Sequence, residues 1–257
     1  MNNKFILTAA AVSGLLAAAI PDAQGVIVWA AGAPGGTSGG SASFDGASTL
    51  DTGAASAGLG DYTISMWING NNVNDKWFFG TGNQGVHLGV RDSPGGAPAT
   101  LSQGHWGNDS DGTTTLVAGT WYHATFTYDN ATDTQSIYLN GNLEAQTVTG
   151  DPNNTSTNLI IGGRNGGGSW DGEIDDIAIW NTIVPAADIA SIAGGASPTG
   201  FGANAYWDFE DDQTGTTAAV VGNGLGATDL TGITVPEPSS LTLLLLGAAG
   251  LVRRKRA

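Results

Sequence analysis

The chain has 257 residues, 41 of them glycine, with no cysteine, 12% charged residues and a formal net charge of −15 at pH 7. That composition suits one large all-β domain or two small ones and argues against a helix bundle. The acidic balance makes nucleic acid and anionic lipid poor partners and divalent cations and neutral surfaces better ones, while the missing cysteine means that no disulfide stabilises the fold.

Met1 to Lys4 is short and basic, Phe5 to Ile20 is apolar and alanine-rich, and Pro21-Asp22-Ala23-Gln24-Gly25 offers small residues for cleavage. This order reads as a secretory signal peptide over residues 1–25, against the competing readings of a membrane anchor or a buried helix. Setting aside Lys4 and the basic tail at 253–256 leaves Lys76, Arg91 and Arg164 as the only bases of residues 26–235. Of the 23 acids only Asp22 and Glu237 lie outside that range, so 3 bases against 21 acids give the body a net charge of −18.

Val26-Ile27-Val28-Trp29 reads as a short strand, followed by a connector rich in Gly, Ala and Ser up to Ser43. Within it Gly36-Thr37-Ser38-Gly39-Gly40 fits the spacing of a hydrolase nucleophile elbow, but no helical pattern follows, and low complexity explains the match. Tyr62 to Ile68 alternates cleanly, with Tyr62, Ile64, Met66 and Ile68 opposing Thr63, Ser65 and Trp67, and so reads as a strand. Lys76-Trp77-Phe78-Phe79 and Val86 to Val90 are further strands at the spacing of an antiparallel sandwich. Arg91 to Asp111 reads as a long loop.

Thr120 to Tyr128 and Gln135 to Glu144 form the clearest hairpin, turning at Asp129-Asn130. Asn140-Gly141 supplies a pair that tolerates the positive φ of a type I′ turn. Asn158 to Gly162 is a strand. In Asp171 to Trp180, a period of two puts Glu173, Asp175, Ile177 and Ile179 on one face and Ile174, Asp176, Ala178 and Trp180 on the other. One short helix follows, with Pro185 near its start, Ile189 and Ile192 on one side and Gly194-Gly195 as its stop. Ala205 to Glu210 is a last alternating run.

The chain ends with Val235-Pro236-Glu237-Pro238-Ser239-Ser240, an apolar run from Leu241 to Val252, and Arg253-Arg254-Lys255-Arg256. The apolar run is shorter than the ~20 residues a spanning helix needs. The three parts resemble the PEP-CTERM sorting signal of Gram-negative bacteria, here residues 233–257. The resemblance implies recognition by an exosortase, transient membrane insertion, cleavage near Pro236, Glu237 and Pro238, and delivery to the cell surface or extracellular matrix.

Three groups of residues in the body resemble the laminin G-like branch of the concanavalin A-like lectin and glucanase superfamily. They are Phe44-Asp45-Gly46 with Tyr62 to Trp67, Gly119 to His123 with Tyr138-Leu139-Asn140-Gly141, and Gly172 to Trp180. The resemblance covers residues 43–195 and implies an all-β, two-sheet antiparallel β-sandwich, a jelly roll, with one short helix. Residues 201–232 resemble a segment that the family places before the Phe-Asp-Gly motif, so a permuted order is expected to close a domain spanning 26–232.

The resemblance puts Asp175 at the late-strand acid that, with backbone oxygens of early loops, often holds a structural calcium ion, and Asp45 is the second candidate metal ligand. The competing reading is that Asp175 caps a loop through backbone N–H groups. Asp176 reads as solvated or turn-bonding. Gly107 to Gly112 contains the middle of an EF-hand loop, but both end positions fail. Trp106 and Trp170, in loops, are the candidate ligand contacts, with flat faces suited to sugar rings, and Trp77 is a further candidate. For catalysis, laminarinase-like relatives carry Glu-x-Asp-x-x-Glu on the late strand, and here Ala178 replaces the last acid, leaving Glu173 without a partner. His87, His105 and His123 share no metal spacing. The expectation is a non-enzymatic binding module for extracellular polysaccharide or matrix protein. The alternatives are a purely structural matrix protein and a divergent glycan hydrolase.

Overall fold

The computed structural model describes residues 27–36, 39–55, 60–82, 84–92, 98–148, 158–164 and 167–209, with short strands at 216–217, 221–222, 230–231 and 233–234. The expected signal peptide at 1–25 and the residues Pro236, Glu237 and Pro238 lie outside the described residues.

Two sheets face each other. The first runs in the order β11 (Asn142–Val148), β10 (Thr134–Leu139), β9 (Trp121–Asp129), β4 (Tyr62–Gly70), β13 (Asp171–Trp180), β2 (Gly40–Asp45), β1 (Ile27–Ala31) and β18 (Ile233–Thr234). The second runs β3 (Leu50–Ala55), β12 (Asn158–Ile161), β5 (Lys76–Thr81), β6 (His87–Arg91), β7 (Thr100–Gly104) and β8 (Asp109–Asp111). β14 (Ala205–Trp207) pairs antiparallel with β13 and with β16 (Val221–Gly222), while β15 (Thr216–Thr217) pairs with β17 (Leu230–Thr231). The all-β sandwich read from the sequence is what the chain forms.

Its core is built by the inward halves of alternating strands. Tyr62, Ile64, Met66 and Ile68 of β4 meet Phe78 and Phe79 of β5, Leu88, Phe126, Ile137 and Trp170. The helix α1 (Ala186–Ala193) lies on the opposite, outer face of the first sheet, where Ile189 and Ile192 pack with Ala178, Trp180 and Tyr206. Its bounds follow the sequence signals, and Asn140 and Gly141 take φ values of 49° and 80° as their turn requires.

Two expectations are corrected. Residues 91–111 are not one loop, because β7 and β8 extend the second sheet there by antiparallel pairing with β6 and with each other. The period-two reading of β13 also fails beyond Asp175. Asp176 has φ 49°, and the register against β4 shifts between Asp175 and Ala178. This β-bulge inserts one extra residue and reverses the parity. Ile174, Ile177 and Ile179 therefore all face the core, while Ala178 and Trp180 face the helix.

Candidate functional site

The bulge places two carboxylates side by side. Asp175 is 0% and Asp176 4% exposed. The Ala33 amide donates to Asp175 Oδ2 at 2.9 Å and the Asp176 amide to Asp175 Oδ1 at 2.8 Å. The Tyr206 hydroxyl of β14 donates to Asp176 Oδ1. β13 thereby ties the loop after β1 and the strand β14 to the first sheet. A Cβ at Gly36 would stand 2.8 Å from Asp176 Oδ2, 3.2 Å from Asp175 Oδ2 and 3.3 Å from the Ala33 carbonyl oxygen. Two carboxylates and one carbonyl thus converge on Gly36 and leave no room there for a side chain; they are hard oxygen donors of the kind calcium takes. Among the described residues, no group of three or more His, Cys, Asp or Glu side chains forms a metal cluster.

The burial of Asp176 departs from the solvated or turn-bonding side chain expected from the sequence, because periodicity alone cannot show a bulge. Asp45 is corrected as its companion. Its Oδ1 accepts from the Ala47 and Ser48 amides and the Ser48 hydroxyl, at 2.8 to 3.0 Å, and caps its own turn. Desolvation alone would raise its carboxyl, but the hydrogen bonds from Ser48 and Ala47 together outweigh it and hold the group below the usual range. Asp45 pairs with Asp171, four residues from Asp175 along β13, and so stands ~13 Å away at the rise of a strand.

The two tryptophans proposed as sugar contacts separate. Trp106 is 64% exposed and has φ 46°, at the turn joining β7 to β8. That turn is closed by the His105 amide donating to Asn108 O at 3.2 Å, and the Gln135 side chain donates to the same oxygen at 3.0 Å. Trp170 is corrected, since it is fully buried, meets Phe78 edge-on at 5.4 Å and donates its indole N–H to Glu173 O at 3.2 Å. No face of Trp170 is left for a ligand. Trp77 is also buried, between the His87 ring at 4.7 Å and the Arg164 guanidinium at 4.1 Å.

All three histidines are buried. His123 is 1% exposed and lies edge-on to Trp67, and burial pushes its pKa down to about 3. His105 Nε2 lies 2.6 Å from the Tyr62 hydroxyl, in hydrogen-bond contact, and the same hydroxyl accepts from Gln103 Nε2 at 2.9 Å. Burial, reinforced by His87, lowers His105 to about 3. Burial raises Glu173, with Asp171 adding to it, but Ala178 is packed against the helix layer.

Residues 38–190 match the family described as the concanavalin A-like lectin/glucanases superfamily, of laminin G type, and residues 234–256 match the PEP-CTERM protein-sorting motif. No curated protein matches the chain. Among solved structures, a heptameric SAP-like pentraxin from Limulus polyphemus aligns with a TM-score of 0.52 at 19% identity, over 61% of this chain and 83% of its own. A Bacteroides ovatus protein, named as an inferred carbohydrate-binding protein, aligns with a TM-score of 0.54 at 20% identity, over 71% of this chain and 53% of its own. Tailspike protein 2 of the Escherichia coli bacteriophage CAB120 aligns with a TM-score of 0.52 at 14% identity, over 74% of this chain and 29% of its own. At these identities the likeness concerns the fold.

Proposed function

The chain belongs, over residues 38–190, to the concanavalin A-like lectin/glucanases superfamily, and on that premise we propose that it is a non-enzymatic sandwich that binds carbohydrate at the cell surface or in the extracellular matrix. The sorting motif at 234–256 marks an exported protein. In this reading an exosortase recognises Pro236-Glu237-Pro238 while the apolar segment enters the membrane transiently.

Trp106 carries the binding assignment. An indole left 64% exposed on a backbone with φ 46° costs both hydration and local strain, and a flat ring fixed at a turn suits stacking on the C–H face of a neutral sugar. The inferred carbohydrate binding of the Bacteroides ovatus protein supports the same ligand class. Against hydrolysis stands Ala178, which puts a methyl group where laminarinase-like relatives carry the second acid.

Calcium enters this reading as a structural ion held by Asp175, Asp176 and the Ala33 carbonyl. It would offset the repulsion between two buried carboxylates.

The test is retention of the protein on neutral polysaccharides and a glycan array, with Trp106→Ala in parallel. The expected result is binding by the native protein that falls at least tenfold in the variant. Native binding that Trp106→Ala leaves unchanged would remove this contact, and no binding at all would favour a purely structural matrix protein.

A further inference from the structure

We propose a second saccharide site, a one-sugar pocket on the outer face of the first sheet that takes a neutral sugar unit and rejects acidic ones. It rests on the carbohydrate-binding reading above and adds a place and a ligand class to it. Phe126, Tyr128 and Ile137 of β9 and β10 point into the core, so their neighbours point outward by the period of two. Those neighbours are Thr127 and Asp129 on β9, and Thr134, Ser136 and Tyr138 on β10. Register places Thr127 opposite Ser136 and Asp129 opposite Thr134, and Ser136 opposite Gln146 on β11. The resulting row of polar side chains across three strands lines a pocket of about 260 Å³, and Ile183, 36% exposed, forms its apolar lip. That volume lies below the roughly 300–1,000 Å³ of drug-sized pockets, which suits one sugar unit.

The polar groups are held in place yet retain bonding capacity. Gln146 Nε2 donates to Ser136 Oγ at 3.1 Å, and the Thr132 hydroxyl donates to Thr134 Oγ1 at 2.9 Å. Asp129 Oδ1 accepts from the Ala131 amide at 2.9 Å, while its other oxygen accepts nothing among the described residues. A carboxylate oxygen beside threonine and serine hydroxyls matches adjacent sugar hydroxyls, which both donate and accept. The Tyr138 ring and Ile183 offer apolar surface to the sugar's C–H face. No Lys or Arg lines the pocket, and the three bases of residues 26–235 lie on the second sheet or in the segment that follows β12. A carboxylated or sulfated sugar would therefore meet Asp129 with no compensating charge. The Gln135 side chain, between Thr134 and Ser136 in sequence, donates to Asn108 O at 3.0 Å. It fixes β10 to the turn that carries Trp106.

Titration of the isotopically labelled native protein, followed residue by residue by NMR, tests this. The probes are cellopentaose, maltopentaose and an N-acetylglucosamine tetramer, with tetragalacturonate as the acidic one. A neutral probe is expected to shift the amides of Thr127, Asp129, Ser136 and Gln146, and tetragalacturonate is expected to leave them unmoved. Asp129→Asn and Thr134→Ile should each weaken the neutral probe at least tenfold without lowering the melting temperature, two variants being used so that one misfolded protein does not decide the matter. Neutral binding that shifts only the Trp106 turn would overturn the pocket and leave the proposed function standing. Absence of binding by every neutral probe would overturn both, and tetragalacturonate shifts in the pocket would overturn the ligand class.

Discussion

The Ala33 amide donates to Asp175 Oδ2 at 2.9 Å across 142 positions of sequence, so that the loop after the first strand is fastened by the strand near the end of the domain. Since Asp175 also takes the Asp176 amide, Asp175→Ala strands two buried N–H groups. Each such loss costs about 1–3 kcal/mol. A loss of roughly 2–5 kcal/mol is expected in urea unfolding, with Asp175→Asn retaining part of it through its one remaining side-chain oxygen. A change below ~0.5 kcal/mol in Asp175→Ala would show that the strap contributes nothing.

If calcium bridges Asp175, Asp176 and the Ala33 carbonyl, its effect must vanish when a side chain at Gly36 forces those oxygens apart. Gly36→Ala puts a methyl group 2.8 Å from Asp176 Oδ2, on a backbone that alanine can adopt. Calcium at a hundred times its dissociation constant should stabilise the native protein by about 2.7 kcal/mol. The melting temperature of Gly36→Ala should be indifferent to calcium and to chelator. A native melting temperature that is itself indifferent would end the calcium reading.

Much of the fold was legible because its strongest signals are local. Alternation in Tyr62 to Ile68, the Asn140-Gly141 turn and the Pro185 to Gly195 helix each depend on residues a few positions apart. Residues 91–111 escaped because Thr100-Leu101-Ser102-Gln103-Gly104 carries a single large apolar residue, and becomes a strand only by pairing with β6 and β8. The bulge at Asp176 escaped for a related reason: nothing in an alternating run announces which residue the partner strand will skip. Asp176, half of the carboxylate pair, was lost with it, and the pocket on β9 to β11 was hidden because threonines and serines on an outer face look like ordinary surface.

Acid should destabilise the protein through His105 and His123. His105 and His123 each have a folded pKa of about 3, whereas the unfolded chain takes up protons near 6.5. Between those values the unfolded state binds more protons, so stability rises with pH there and is lost as pH falls below about 6.5. The slope is about 1.4 kcal/mol per pH unit for each histidine once the unfolded form is fully protonated. Urea midpoints measured from pH 7 to pH 4 should fall accordingly, and His123→Phe should make the fall shallower. A midpoint constant over that range would mean that these rings are charged in the folded protein.

Trp106 and Trp170 are both loop tryptophans by sequence, and their variants should have opposite signatures. Trp170 fills the core against Phe78, so Trp170→Ala leaves a cavity and should cost about 3–5 kcal/mol. Trp170→Phe keeps much of the volume but loses the bond to Glu173 O, and should cost less. Neither variant should change glycan affinity at a temperature where it remains folded. Trp106→Ala removes an exposed ring and relieves none of the core, so its unfolding midpoint should stay within about 0.5 kcal/mol of the native value while glycan retention falls. Paired urea melts and binding isotherms on the three variants separate the two roles. A binding defect in folded Trp170→Phe, or a large stability loss in Trp106→Ala, would contradict the positions assigned to these rings.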